Sequence, residues 1–172
     1  MIKDYSSDWP KKFQEEAALI HGSLGSSIVS LEHIGSTSVP GLSAKPVIDM
    51  AVLTNSIQDP SVFVASLEKI GYRYKPDMSS VERLFFRKGH PAKYHLSITE
   101  PRYLYWTRQM LFRDYLRNHP EAVSEYAQIK LRLADEVPPE DLKDLSHSKG
   151  YNSGKTEFVE RILGLAQNEV AK

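Results

Sequence analysis

The sequence predicts an α+β (α/β) domain built on a mixed β-sheet with flanking helices. Three observations carry that expectation: an amphipathic helix precedes two strand-like runs, a second helix leads into two or three further strands, and the remainder is helical in its periodicity. At 172 residues the chain suits one domain with a proper core, divided into a sheet-bearing part over about 1–101 and a helical extension over about 102–172.

Asp8 is placed to cap the first helix, Pro10 fits its first turn, and Phe13, Ala17, Ile20 and Leu24 recur at helical spacing up to Gly25. Ile28 to Ile34 reads as a strand, with Val29 and Leu31 on one face and Ser30 and Glu32 on the other. A turn of small residues follows, broken by Pro40-Gly41. Pro46 to Leu53 reads as a second strand: Ile48, Met50 and Val52 share one face, and Val47, Asp49, Ala51 and Leu53 the other. Asp59-Pro60 then opens a helix with a buried stripe of Phe63, Leu67 and Ile70, closed by Gly71. Strands are expected from Tyr72 to Lys75, Arg83 to Lys88 and Tyr94 to Thr99, with Gly89-His90-Pro91 turning between the last two. Leu96 and Ile98 should face the core, and His95, Ser97 and Thr99 the opposite side. Helical patterns cover about 103–118, 121–136 and 156–170, with a looser stretch from Pro138 to Tyr151.

Twenty-two basic residues balance twenty-two acidic ones, so no global field attracts long nucleic acid or an anionic membrane, and any polyanion site must be local. The absence of Cys excludes disulfides, thiolate chemistry and Cys-ligated metals. No apolar run approaches transmembrane length and the N-terminal MIKDYSSDWPKKF lacks a signal-peptide core, so a cytoplasmic location is expected.

Chemistry concentrates between His33 and Met50. Gly35 ends one strand and the next begins just past Lys45-Pro46, which sets the Gly-Ser turn and Asp49 at one end of neighbouring strands. Such an arrangement suits a nucleoside triphosphate: Gly35 with the N–H groups and hydroxyls of Ser36, Thr37 and Ser38 around the phosphate oxygens, Lys45 as a point charge, and Asp49 on Mg²⁺ or Mn²⁺. An acid in an apolar strand is costly to bury, and a salt bridge to Lys45 or a helical Arg is the alternative account of Asp49. Position 51, where a second acid on the same face would fall, is Ala51. Glu32 could supply that carboxylate from the neighbouring strand, or be an exposed strand residue.

His95 on the polar face of its strand suits a metal ligand, a general base or a hydrogen-bonded structural residue. Glu100, past the strand end, is a weaker acidic candidate. Arg113 and Arg117 lie one helical turn apart and could reach one phosphate or one set of carboxylates, with Asp114 pointing away from their shared face; a salt-bridged helix surface predicts the same spacing. Lys130 adds charge to the site or is an exposed helical lysine. The Gly-Lys-Thr of the last segment is not a phosphate loop, because its spacing is one residue short and no strand precedes it. Ser153 is placed to cap the last helix, with Lys155 in its first turn, either reaching a nucleotide or solvated.

The stretches EHIGSTSVPGL and AKPVIDM, the strand HL-x-I-x-E, the run FRDYLRNHPEAVSEYAQIK and the closing Y-x-x-GK-x-x-F-x-x-x-I together resemble the GrpB family, related to the nucleotidyltransferases. The resemblance spans Tyr5 to Leu163 and implies a nucleotidyltransferase-like core with a helical C-terminal extension. It places the superfamily's Gly-Ser pair on Gly35-Ser36 and its strand acid on Asp49, with Ala51 where the second acid would stand and Ser97 where the family commonly has a second His. Residues and resemblance together lead to the expectation of Mg²⁺-dependent transfer of a nucleoside monophosphate from an NTP to a small-molecule or protein acceptor. Asp49, Glu32 and His95 would serve the metal, and Lys45, Arg113 and Lys155 the phosphates. A catalytically silent nucleotide or phosphometabolite binder, and a metal-dependent hydrolase using His95 and Asp49, are the alternatives.

Overall fold

The computed structural model describes residues 2–136 and 153–171. The expected looser stretch from Pro138 to Tyr151 lies outside the described residues. Helix α1 spans Asp8–Leu24, strand β1 Ser30–Ile34, β2 Ile48–Leu53, α2 Ser61–Lys69, β3 Tyr72–Tyr74, β4 Arg83–Lys88, β5 Tyr94–Thr99, α3 Leu104–Asn118, α4 Pro120–Asp135 and α5 Thr156–Val170. The five strands form one sheet in the order β1-β2-β5-β4-β3. Only β2 and β5 run parallel; the other pairings are antiparallel. The sheet is thus mixed, as the α+β reading requires.

Alternation along the strands decides what each face does. Met50 and Val52 of β2 and Leu96 and Ile98 of β5 are 0–1 % exposed and pack with Trp9 and Ile20 of α1 and Phe63 and Leu67 of α2. The residues between them, Asp49, Ala51, His95 and Ser97, face the other way. A second apolar cluster joins Val39 and Leu42 of the turn after β1 to Leu116 of α3, Ala122 and Tyr126 of α4, and Phe158 and Ile162 of α5. Tyr126 and Phe158 stack there with ring centroids 4.8 Å apart. The turn between β1 and β2 therefore belongs to both cores and binds the sheet to the helices.

Helix starts differ from expectation in two places. Ser7, not Asp8, is the N-cap of α1 and makes no side-chain cap bond, while the Asp8 N–H donates to Ser6 Oγ at 3.3 Å. Helix α5 begins at Thr156 with Lys155 at the N-cap position, so Ser153 stands two residues ahead of the cap. Asp59 does hold the start of α2: its Oδ1 accepts from the Ser61 N–H at 3.0 Å and the Ser61 hydroxyl at 2.6 Å. Those bonds hold the Asp59 carboxyl below the usual range.

One buried charge was not legible beforehand. Glu16 of α1, 3 % exposed, receives Lys88 Nζ of β4 at 2.7 Å, and the same ammonium lies 5.5 Å from the Tyr72 ring centroid and 5.6 Å from that of Tyr94. Burial, followed by the charge of Glu16, pushes the Tyr72 hydroxyl up. Replacing Lys88 by Met should leave Glu16 buried and uncompensated, costing about 3 kcal/mol. Urea unfolding should report that loss as a lower midpoint with unchanged m, and Glu16→Gln added to Lys88→Met should recover most of it.

Candidate functional site

The open face of the sheet carries a row of paired residues: Ile34 of β1 opposes Asp49 of β2, which opposes His95 of β5, which opposes Arg87 of β4. Directly opposed residues share a face, so Asp49 and His95 project side by side. His95 Nδ1 lies 3.0 Å from Asp49 Oδ1. A carboxylate only accepts, so Nδ1 carries the proton of this bond. His95 Nε2 is buried with no hydrogen-bond partner among the described residues. The imidazole therefore orients Asp49 and, in this arrangement, offers no nitrogen to a cation at the carboxylate.

The other Asp49 oxygen meets the turn. Gly35 has φ 68°, and a Cβ built there would stand 2.7 Å from Asp49 Oδ2, so only glycine lets the backbone pass. Ser36–Ser38 then form a single 3₁₀ turn whose first N–H groups have no helical acceptor. The expected phosphate-binding hydroxyls of Thr37 and Ser38 are instead internal. Ser38 Oγ donates to the Gly35 carbonyl at 2.6 Å and Thr37 Oγ1 to the Val47 carbonyl at 3.2 Å, with Thr37 1 % and Ser38 5 % exposed. Burying a hydroxyl demands such a partner. Ser36 alone of the three is partly exposed.

Thr37 Oγ1, having donated its proton, accepts from His33 Nε2 at 3.0 Å. His33 stacks on Phe13 at 4.9 Å and is 6 % exposed. Burial lowers its pKa to about 4, against the pull of Asp49 and aided by Arg117 and Arg113, so the ring is neutral near pH 7.

Glu32, expected as a second metal ligand, is held by an arginine. It opposes Ala51 in the register, and its Oε2 accepts from Arg113 Nη1 at 2.8 Å. Arg113 also donates from Nη1 to the His33 carbonyl at 3.1 Å and from Nε to Asp114 Oδ1 at 2.7 Å. Burial disfavours its charge, but the bonds to Asp114 and Glu32 leave its pKa above the ordinary value. Asp114 thus does neutralise the pair, contrary to its position on the helical wheel, because a long guanidinium folds back onto its sequence neighbour. Arg117 donates to the Ser38 carbonyl from Nε at 3.0 Å and Nη2 at 2.8 Å. These arginines hold the carbonyls on either side of the Gly35-Ser36 turn, and Arg113, expected at the phosphates, has its donors on Glu32, Asp114 and the His33 carbonyl. Glu100 is likewise structural, accepting from the Ile57 N–H at 2.7 Å and from Arg102 Nε at 2.7 Å.

Cations gather at the same end. Lys45 and Lys155 are half-buried. Burial lowers the Lys155 pKa to about 8, with Lys45 lowering it further and Asp49 opposing. Lys130, which sequence left between a charged site and an exposed helix face, is 3 % exposed and donates from Nζ to the Ser43 carbonyl. Its burial was signalled by Ala122, Tyr126 and Leu133, which mark the buried stripe of α4 on which position 130 falls. Tyr105 of α3 was missed altogether. Its hydroxyl donates to Ser97 Oγ at 2.9 Å, as does Arg83 Nη1 at 3.0 Å, beside the Asp49–His95 pair. Among the described residues no group of three or more His, Cys, Asp or Glu side chains is placed to hold a metal, and no helix is long and apolar enough to cross a membrane.

A family profile described as GrpB protein matches residues 1–164. A UPF0157 protein of Pseudomonas aeruginosa is 39 % identical over 163 residues, covering 92 % of this chain and 64 % of its own. The corresponding Bacillus subtilis protein YqkA is 35 % identical over 156 residues, covering 90 % of this chain and 43 % of its own. This chain therefore spans less than two thirds of the length of either relative. A dephospho-CoA kinase of Mycolicibacterium paratuberculosis is 28 % identical over 149 residues, 72 % of this chain and 37 % of that protein. Among solved structures, the conserved protein GrpB of Enterococcus faecalis superposes with a TM-score of 0.86 at 30 % identity, covering all of both chains. The Cid1 poly(U) polymerase bound to MgGTP matches with a TM-score of 0.52 at 19 % identity over 78 % of this chain and 44 % of its own, a likeness of fold: the nucleotidyltransferase fold.

The close approach at position 35 and the buried imidazole at position 33 each have a measurable consequence. Gly35→Ala should cost at least about 1–2 kcal/mol from its left-handed backbone alone and should push the Asp49 carboxylate aside, which urea unfolding and a crystal structure of the variant would report. His33 has a folded pKa of about 4 against an ordinary 6.5. The folded state therefore binds fewer protons, and a stabilisation of up to about 3 kcal/mol present above pH 6.5 should fade as pH falls toward 4. His33→Gln, which keeps an N–H for Thr37, should flatten that slope; an unchanged slope would assign the acid sensitivity elsewhere.

Proposed function

The chain belongs to the GrpB family, and from that premise we propose that it binds a nucleoside triphosphate at the Gly35–Asp49 end of the sheet and transfers its nucleoside monophosphate to a small-molecule or protein acceptor. The observation that carries the reading is the convergence of the Gly35-Ser36 turn on the Asp49 carboxylate, where a Cβ at position 35 would fall 2.7 Å from Oδ2. Both halves of a phosphate-and-cation site meet there: backbone N–H groups for phosphate oxygens and a hard oxygen ligand for a divalent cation.

Asp49 suits Mg²⁺, which commonly takes one or two carboxylates and completes its shell with substrate phosphates and water. Its side chain is 37 % exposed, so the carboxylate is open to solvent on one side. When bound, Mg²⁺ or Mn²⁺ would neutralise charge on the phosphate oxygens. The amides of Ser36 and Thr37 would orient the phosphates, and Lys45 and Lys155 would offset their negative charge. His95 would keep the carboxylate in place through Nδ1. The acceptor oxygen would attack the α-phosphorus in line and form the new P–O bond, the bond to the bridging β-phosphate oxygen would break, pyrophosphate would leave and the acceptor's proton would pass to solvent water.

A second reading, a silent nucleotide or phosphometabolite binder, is favoured by one arrangement: Glu32 is paired with Arg113, and Ala51 occupies the neighbouring position on β2. The alternative hydrolase using Asp49 and His95 on a transition metal loses support from the hydrogen bond between those two groups.

Thermal unfolding with each of the four common NTPs, with and without Mg²⁺, tests binding. An NTP at a hundredfold excess over its Kd should stabilise by about 2.7 kcal/mol, and Asp49→Asn should remove the Mg²⁺-dependent part. Pyrophosphate release with candidate acceptors then separates enzyme from binder. Dephospho-CoA is the first acceptor to try, given the kinase among the relatives. Absence of stabilisation by every NTP would overturn the transfer reading and leave, of the second, only a phosphometabolite binder.

A further inference from the structure

On the open face of the sheet, one row along from Asp49 and His95, donors outnumber acceptors. Ser97 of β5 opposes Ala51 of β2 on one side and Phe85 of β4 on the other, and Arg83 stands two residues before Phe85 on the same face. Ser97, 3 % exposed, receives Arg83 Nη1 at 3.0 Å and the Tyr105 hydroxyl at 2.9 Å. Whichever hydroxyl donates in the bond between Ser97 and Tyr105, the proton of the other has no acceptor among the described residues. Arg83 itself lies against two rings, 4.9 Å from the Phe85 centroid and 5.3 Å from that of Tyr105, and its Nη2 donates to the Met78 carbonyl at 3.3 Å. All of these partners are neutral. The two bonds to Ser97 and Met78 use two of the five guanidinium N–H groups, which leaves three. Beside this cluster Arg87 opposes His95 and Arg73 opposes Arg87, and no residue of β3, β4 or β5 on this face is acidic.

We propose that Arg83, with the Ser97–Tyr105 hydroxyl pair, is an anion-binding site separate from the Gly35-Ser36 turn, and that it takes the acceptor by a carboxylate or phosphate group. The acceptor role rests on the reading of the Gly35–Asp49 end as a nucleotide site, whereas the anion site rests only on the contacts around Arg83. A half-buried guanidinium whose contacts are all neutral gains most from a charged oxygen, and its fork matches two oxygens of one carboxylate or phosphate. The hydroxyl proton left without an acceptor supplies a further donor to the same anion. Arg87 and Arg73 give this side of the face a positive field that draws negative charge toward it. Asp49 lies one strand across and one row along from Ser97, about 8 Å by strand spacing and rise. A molecule held at Arg83 by its anionic end would thus present a hydroxyl a few bonds away to a phosphorus beside Asp49. A neutral alcohol lacks the anchor, so the site selects acceptors by charge.

The probes are glycerol 3-phosphate, glycerate and glycerol, which share a hydroxyl and differ in the anionic group. Each is titrated into ¹⁵N-arginine-labelled protein, first alone and then with excess Mg²⁺ and α,β-methylene-ATP, which fills the Gly35–Asp49 end without transfer. The Arg83 Nε–H resonance should move saturably with glycerol 3-phosphate or glycerate in both conditions and stay still with glycerol. The tighter of the two anions names the group that the site takes. By calorimetry, Arg83→Gln should weaken that anion at least about tenfold, as loss of a charged donor pair requires. The labelled wild-type protein decides the matter even where the variant does not fold. An Arg83 resonance that ignores both anions, that moves equally with glycerol, or that moves with the nucleotide analogue and no further with the anions would overturn the proposal, as would undiminished anion binding by folded Arg83→Gln. Stabilisation by an NTP beside a silent Arg83 refutes this site and leaves the nucleotide reading standing. An anion response at Arg83 in a protein that no NTP stabilises supports the anion site and refutes the nucleotide reading.

Discussion

Asp49 keeps a carboxylate in the middle of a sheet because its two oxygens meet different neighbours. Oδ1 holds the His95 imidazole at 3.0 Å across the parallel pairing of β2 with β5, and Oδ2 faces the backbone of Gly35. The first contact makes the acid part of the sheet, and the second brings a turn against it that no side chain could share. Everything else at this end of the molecule preserves that meeting. Thr37 and Ser38 use their hydroxyls to close the turn, and His33, kept neutral by burial, donates to Thr37.

Helix α3 supplies the brace. Arg113 and Arg117 donate to the carbonyls of His33 and Ser38, which bracket the turn, while Glu32 and Asp114 compensate the buried guanidinium of Arg113. Arginine suits the task because its donors fan out in a plane and it remains charged when partly buried. Val39 and Leu42, just beyond, insert into the cluster formed by α3, α4 and α5. The most recognisable block of the sequence thus lies where the two apolar cores join. That block therefore has a packing role of its own, and the likeness of fold to Cid1 carries no reaction with it.

Positions whose role depends on period and turn chemistry were readable in advance. The strands around Asp49 and His95, the opposite orientation of Leu96 and Ile98, the helices of the second half and the turn after the first strand all stand where alternation and breakers put them. Long polar side chains were not. Glu32 was open between metal ligand and surface residue, and became the counter-ion of an arginine 81 positions away. Thr37 and Ser38 looked like phosphate ligands because hydroxyl-rich turns often are, yet their burial turned them inward. Lys130 lay on a buried stripe whose neighbours pointed to it, but a lysine stem can run along apolar surface and still reach water. No local pattern shows whether it does.

By itself, then, the sequence determined the succession of helices and strands, the face on which Asp49 and His95 project and the kinship to the GrpB family. Those features are local or periodic, set by backbone sterics and by which side of an element is apolar. Tertiary structure alone decided the partners: which arginine meets Glu32, that His95 lies against Asp49, that two hydroxyls close a turn, and that the Lys130 ammonium is buried on the Ser43 carbonyl. The reason is that a charged or hydrogen-bonding side chain takes its partner from whatever the fold brings within about 3 Å, and the fold assembles those neighbours from positions far apart in the chain.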